Sequence, residues 1–536
     1  MRGSGAGFTD LPRPGLSPSD AESTLAAAYS PAWRGGFQGS SPPELVAHAA
    51  LLAYVRGVLG GLPACLAPPR RVAAGDTMEI DGPTLRGLEV FTSHSGRDGS
   101  LLSVMDRTVT APGARLLVRH LSAPLTDPRT IGRRLAMGRH LVGDPGLRAD
   151  CRDTLAGMPD VLRACGRLSL GKAGPRDLAS VRDGLDRAAT LAKRLGASPD
   201  LPPGLSTVAR DLAAASGEAL ATLASTLRRA LAADLPSTTK EPGFIAAGYA
   251  ARLDAARADV ARAKGAIEAL QASYAAETGV KSLKIRTNGV VGYHVEVPAA
   301  HAKALGPRFT LRQGMASAAR FSTTELDKLA SALEEAAGRA FSAEQVASAQ
   351  LSAGVMEHRE ALARIAHTVA ALDLVAGLAQ AAAEGHWTEP EMADDATLDI
   401  KGGRHPVAEA LLEADGWAFV ANDCLMADAD RLWLLTGPNM AGKSTFLRQV
   451  AAIALMAQAG SFVPADRARI GVVDKLFSRI GRLGCWPVHV HGGDAGDLGH
   501  PEPGDEPLAG DPGRGGTWHI HAGRPGDRPG LPRVPA

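Results

Sequence analysis

The 536-residue chain sets 58 Lys and Arg against 57 Asp and Glu, so no whole-molecule field draws it to nucleic acid or membrane, and such contacts must come from local clustering. Three or four domains are expected at this length. Five scattered cysteines (Cys65, Cys151, Cys165, Cys424, Cys485) lack CxxC spacing, there is no signal-like opening, and no uninterrupted apolar run reaches about 18 residues. Together these argue against disulfides, zinc, secretion and membrane insertion, and for a soluble cytoplasmic protein.

Residues 1 to about 44 are rich in Gly, Pro and Ser, and Leu45 to Leu59 then reads as one amphipathic helix. From about 77 to 243 helical patterns dominate, including Ala111 to Leu121, Leu178 to Leu195 and Val208 to Leu231. No proline occurs between Phe244 and Val297, where Leu253, Val260, Ile267 and Tyr274 recur every seventh residue. Tyr249, Ala256, Ala263 and Leu270 supply the second seam, so a helix about 45 Å long is predicted. A second proline-free stretch, Arg308 to Glu389, carries Leu326, Leu333 and Ala340 with Leu329, Ala336 and Ala343 at heptad spacing. Between them Val291, Tyr293, Val295 and Val297 alternate with Gly292, His294 and Glu296, the pattern of a half-buried strand. The heptads alone fit ordinary core packing, but the interposed strand favours a small β-rich module on a projecting helical arm.

Two features carry chemistry. Gly437-Pro438-Asn439-Met440-Ala441-Gly442-Lys443-Ser444, followed by Thr445, fits GxxxxGK[ST] between the apolar strand Leu432 to Leu435 and a helical run to Ala459. Glycines let backbone N–H groups wrap phosphates at a helix start, Lys443 neutralises β and γ oxygens, and Ser444 can ligate magnesium, so ATP and Mg2+ are the expected cofactors. Between positions 281 and 320, Lys281, Lys284, Arg286, Lys303, Arg308, Arg312 and Arg320 face the single Glu296. A solvated basic face and contact with a phosphate backbone both fit this cluster. Lone pairs such as His489/His491 and His519/His521 could hold a metal, but no framing helix or carboxylate accompanies them. His405 and Phe419, ahead of the loop strand, read as core or turn residues when taken singly.

Three segments together resemble the MutS family: GPNMAGKST, Thr278 to Val297 (TGVKSLKIRTNGVVGYHVEV) and Leu101 to Leu117 (LLSVMDRTVTAPGARLL). The resemblance implies a multidomain, mainly α protein with an incomplete C-terminal α/β P-loop ATPase of the ABC type. Its implied parts are a connector remnant (1–75), a helical lever body (76–246), arm helices with a β-rich DNA clamp (247–345), a returning lever helix (346–390) and the first part of the ATPase (391–481). It further implies a homodimer on mismatched double-stranded DNA, a MutL-type partner, and an adenine-side role for the stretch from Arg404 to Pro406 and for Phe419 to Asp423.

Two departures from the family pattern bear on activity. No Phe-x-Glu tripeptide of the mismatch-reading wedge occurs among the eleven phenylalanines, which puts mismatch selectivity in doubt. After Gly481 the family's signature segment and strand-borne Asp-Glu pair give way to a lysine-free tail, 482–536, in which 22 of 55 residues are Gly or Pro. The pair Asp505-Glu506 sits among Gly and Pro, which cannot fix a carboxylate on a central strand. Reading the codons of Ala509 to Gly526 from their second base, with permitted wobble choices, yields LVILDEVGRGTSTQDGLA, and Leu483 to Leu508 yields a similarly family-like string. The expectation is a reading frame that slips near Gly481 and no catalytic residue for hydrolysis. The alternatives are a hydrolysis-dead binding fragment and a non-functional product of a damaged gene.

Overall fold

The computed structural model describes residues 17–29, most of 34–66, 75–427 apart from 94 and 95, 430–478 apart from 431 and 439–441, and the backbone of 488–491 and 518–521. In chain order the strands are β1 (Glu79–Ile80), β2 (Lys284–Asn288), β3 (Gly292–Pro298), β4 (Thr310–Gly314), β5 (Ala318–Ser322), β6 (Glu391–Ala393) and β7 (Leu398–Gly403). They continue with β8 (Asn422–Met426), β9 (Leu432–Leu435), β10 (Arg467–Gly471), β11 (Lys475–Ser478), β12 (Val488–His491) and β13 (Trp518–His521). Two compact units result: Met1–Arg163 with Asp183–Ala221 and Glu360–Ala536, and Ala164–Arg182 with Thr222–Arg359.

The first unit is built around the helix Arg359–Glu384, whose residues from Leu362 to Ala382 are mostly buried. It is long and apolar enough to suit a membrane span, yet most of its apolar stretch lies inside the protein's own core. Asp373 interrupts this apolar helix and is fully buried. Its carboxylate accepts hydrogen bonds from Val109 N (3.0 Å), Thr110 N (2.8 Å) and Thr110 Oγ1 (2.5 Å). Thr110 Oγ1 in turn accepts from Gly113 N and caps the helix Ala111–Ser122. Burial pushes the Asp373 carboxyl above the usual aspartate range, and the hydrogen bonds pull the other way.

Onto this frame pack the helix Lys443–Ala459, through Leu447, Val450 and Ile453, and a four-stranded sheet of order β6-β10-β7-β8. Within it β10 runs parallel to β6, and the β10–β7 and β7–β8 pairs are antiparallel. A second sheet joins β1, β11 and β12, and a third pairs β13 with β9. The helical pattern from Val208 to Leu231 is not one helix. It breaks into Pro203–Ala213, a 3-10 turn and Glu218–Ala230, with Gly217 in extended backbone at the joint.

The second unit holds the arm. The helix Ala251–Thr278 begins after Tyr249, so the seam starts at Leu253, which is buried with Ala256, Ile267, Leu270 and Tyr274. It packs on Thr324–Glu357 through Leu326, Leu333 and Ala336. The second proline-free stretch holds β4 and β5 and then two helices, Thr324–Glu357 and Arg359–Glu384, separated where His358 leaves helical geometry. At the start of the arm the buried Glu344 accepts from Gly243 N and Ile245 N and pairs with Arg257 at 2.8 Å. At its far end β2-β3-β5-β4 form an antiparallel sheet closed over Val295, Val297 and Phe321. His294, expected on the polar face, is buried instead: its ring folds back so that Nδ1 lies 2.9 Å from Gly292 O, beside Glu296.

A Cβ added at Gly113 would overlap the Asp373 carboxylate. Gly113→Ala should therefore cost about 3 kcal/mol by urea melting, the upper range for overpacking a close-packed site. In an Asp373→Ala background the same change should cost far less, and strict additivity of the two substitutions would contradict the contact.

Candidate nucleotide and nucleic-acid sites

The phosphate-loop residues sit where a strand meets a helix. Gly437 has φ 149° and Gly442 has φ 82°, backbone that favours glycine, and nothing lies within 4 Å of where a Cβ would stand on either. Gly442 caps the helix Lys443–Ala459. Lys443 Nζ donates to Gly437 O and, at 2.8 Å, to Pro438 O, so the ammonium lies in the curve of its own loop. Ser444 and Thr445 occupy the first helical turn, and Phe446 stacks on Trp433 of β9 with ring centroids 6.3 Å apart. Asn439, Met440 and Ala441 fall outside the described residues.

A ring of buried polar groups supports this region. Gln449 is fully buried and its Oε1 accepts from Asn422 Nδ2 at 3.3 Å. His405 caps the helix Pro406–Ala414, its Nδ1 accepting from Ala408 N at 3.3 Å. Burial, followed by the nearby Arg448 charge, pushes the His405 imidazole down to about 4. Among the described strands the loop strand has one partner, β13, and pairs with no member of the four-stranded sheet. Leu432 and Leu434 on β9 are each 55% exposed, as is Leu425 of β8 at 57%. Among the described residues no group of three or more His, Cys, Asp or Glu could hold a metal, and the side chains of His489, His491, His519 and His521 lie outside them.

The seven cations of the basic cluster are brought onto one small sheet and its flanks, but they are not equivalent. Arg320 Nε lies 3.1 Å from Glu296 Oε2 and Arg286 Nε lies 3.6 Å from Oε1, so two arginines share one carboxylate. The Arg320 hydrogen bond is the main reason the Glu296 carboxyl lies below its usual range. Arg308 pairs with Glu277 at 2.7 Å and lies 4.6 Å over the Tyr274 ring, while Arg312 is 3.6 Å from Asp327. Lys281, Lys284 and Lys303 are exposed and make no ion pair among the described residues. Glu277 and Asp327 flank the basic window in sequence, and a count confined to that window misses them.

Comparison with known proteins finds two regions of family similarity. The description "MutS domain III" matches residues 83–379 and "MutS domain V" matches 433–485. Proteins named DNA mismatch repair protein MutS are similar to the chain: 45% identical over 89% of it in Erythrobacter litoralis, and 44% over 90% in Azorhizobium caulinodans. The Paracoccus denitrificans protein is 44% identical over 89% of the chain. The chain spans about half the length of these curated relatives, 54%, 52% and 54% of them respectively.

The His405 shift has a measurable sign. Its folded value lies below the unfolded one, so between pH 6.5 and about 4 the unfolded chain binds a proton that the folded chain refuses, and stability falls as pH is lowered through that window. The loss should reach about 3 kcal/mol. His405→Asn, which keeps an oxygen to cap the helix, should flatten this part of the stability profile in chemical melts, and an unchanged profile would contradict the assignment.

Proposed function

The chain belongs to the MutS family, and on that premise we propose that it grips double-stranded DNA by the phosphate backbone through the β2–β5 module. We propose further that it binds ATP at Gly437–Thr445 with little or no hydrolysis. One coincidence carries this reading. A single family-matched chain has Lys443 curled into its own glycine loop and three exposed lysines without carboxylate partners on the clamp.

At the loop, the residues suit a nucleotide's phosphates: Gly437 and Gly442 leave the backbone open, Lys443 can exchange two carbonyl contacts for phosphate oxygens, and the helix start adds its N–H groups. Ser444 is the residue that would hold Mg2+, whose chemistry is to neutralise charge between β and γ oxygens. Hydrolysis also needs a water and a metal fixed by a carboxylate, and positioning of this kind supplies most of the rate in phosphoryl transfer. The match to MutS domain V ends at residue 485, and the Gly- and Pro-rich composition beyond it supports the hydrolysis-poor reading. As in the family, mismatched duplex, a second copy of the chain and a MutL-type protein are the proposed partners.

For the clamp, the three unpaired lysines should dominate. Replacing Lys281, Lys284 and Lys303 by Ala should weaken duplex binding alike for all sequences and shallow the log K against log[salt] slope by up to about 0.9 per lost contact. Arg286→Ala should change the slope less, because Arg286 already shares Glu296. Equal slopes for wild type and the triple-lysine variant would remove the clamp assignment.

For the loop, fluorescent-nucleotide titration should give weak binding that Lys443→Ala abolishes. Phosphate release, with or without duplex DNA, should not exceed that of the Lys443→Ala control. Turnover that depends on Lys443 would show that residues 482–536 complete a working site, and the hydrolysis-poor reading would fall.

A further inference from the structure

The turn between Leu88 and Val90 holds a residue that its backbone does not favour. Glu89 has φ +53°, a left-handed conformation that is costly for any residue with a Cβ and free for glycine. Hydrogen bonds fix that backbone from both sides: Glu89 N donates to Arg86 O at 3.0 Å, and Glu89 O and Val90 O accept from Leu101 N and Leu102 N at 3.0 and 2.9 Å. Leu88 and Val90 are buried in the same core as Leu447 and Val450 of the helix Lys443–Ala459. The turn alone calls for glycine, so the reason for a glutamate lies in what its side chain reaches.

That side chain reaches the phosphate-loop helix. Glu89 Oε2 lies 3.5 Å from Arg448 Nη1, with only 25% and 28% of the two side chains exposed, so the pair is largely shielded from water. Arg448 stands one turn after Ser444 and shares its face of the helix. Among the described residues Glu89 is the one carboxylate paired with Arg448, and Arg448 Nε is buried with no hydrogen-bond partner. The same guanidinium charge bears on His405. Burial of Leu88 and Val90 beside Leu447 and Val450 sets how closely turn and helix approach, but it is not directional. The ion pair is directional, and a helix that turned about its axis would carry Lys443 and Ser444 with it.

Resting on the nucleotide-binding reading above, we propose that Glu89 is a positioning residue for the phosphate loop. Through Arg448 it sets the rotation of the helix Lys443–Ala459, and with it the direction of Ser444 and of the N–H groups in the first turn. The glutamate itself touches no nucleotide. Coulomb's law alone predicts the opposite sign of effect, since removing a carboxylate from the neighbourhood of a polyanion's site tightens binding, whereas loss of position loosens it.

Glu89→Gly is the informative variant, because glycine keeps the left-handed turn and removes only the side chain. Titrated as the full chain with a fluorescent ATP analogue and Mg2+, it should bind about tenfold more weakly than wild type, a coupling of ordinary size, while its thermal melting is not lowered. Arg448→Met should weaken binding by a similar factor, and the double variant should bind no more weakly than the weaker single one, because both changes remove the same contact. Should Arg448→Met fail to fold, Glu89→Gly still decides the matter. Lys443→Ala in the same titration separates the two levels of argument. Wild-type binding that Lys443→Ala leaves intact, or no wild-type binding, removes the nucleotide reading and this inference together. With binding that depends on Lys443, equal or tighter binding by Glu89→Gly, or a lowered melt with unchanged affinity, would overturn the positioning role alone.

Discussion

The first unit depends on one buried carboxylate. A helix as apolar as Arg359–Glu384 could pack on neighbours in many rotations and registers, because dispersion and burial are not directional. Asp373 removes that freedom, since its two oxygens must receive hydrogen bonds once water is excluded, and the donors within reach are Val109 N, Thr110 N and Thr110 Oγ1. Their positions fix where the helix Ala111–Ser122 begins, and Gly113 lets that helix close onto the core helix without a side chain between. Leu117 and Leu121, one and two turns further on, then meet the residues that hold the phosphate-loop helix, Leu447, Val450 and Ile453. The loop's placement thus traces back through three helices to one acid.

The second unit uses the same device. Glu344, buried on the helix Thr324–Glu357, gathers Gly243 N, Ile245 N and Arg257, and so sets the point at which the chain turns into the arm. Beyond that point seam packing, joined by one ion pair between the helices (Arg339 to Asp259, 3.2 Å), carries the arm as far as Tyr274, whose hydroxyl lies 2.6 Å from Thr323 Oγ1 and whose ring meets Phe309 edge-on at 5.1 Å. Arg308 lies over that ring, so one cation of the basic cluster also serves the packing of the arm. Cations committed to packing or to internal carboxylates have less to offer a phosphate than cations held only by water, since the existing partner must first be given up.

Periodic features were legible in the sequence because burial imposes its period directly. The arm seam at Leu253, Ile267 and Tyr274, the inward Val295 and Val297, and the strand–loop–helix at Gly437 all read from spacing alone. Features set by contacts distant in sequence were not. Asp373 lies 263 residues from Thr110, and Glu344 lies 101 from Gly243, so neither pairing has a local signature. The ion pairing of the basic cluster has no local signature for a related reason: Glu277 and Asp327 sit just outside positions 281–320 yet fold back onto Arg308 and Arg312. His294 departed from strand alternation because its ring found a carbonyl on its own strand, which a two-residue period cannot express. The break at Gly217 was visible as a glycine, but a mid-helix glycine is tolerated often enough that the periodicity around it prevailed.

The same distinction between local and distant determinants bears on the proposed nucleotide site. A phosphate loop is nearly self-contained: a few glycines, a lysine and the start of one helix supply its donors, and here the lysine is already held by carbonyls of its own loop. A hydrolytic centre is not self-contained, because a carboxylate able to position metal and water must stand on another strand held in register beside the first. In this chain β9 pairs with β13 alone among the described strands, and Leu432 and Leu434 remain more than half exposed. A strand feeding a catalytic loop from the middle of a sheet would have neighbours on both edges and cover on both faces. On the proposed reading, binding outlasts hydrolysis because the contacts for the first lie within nine consecutive residues, while those for the second require neighbouring strands that β9 lacks among the described residues.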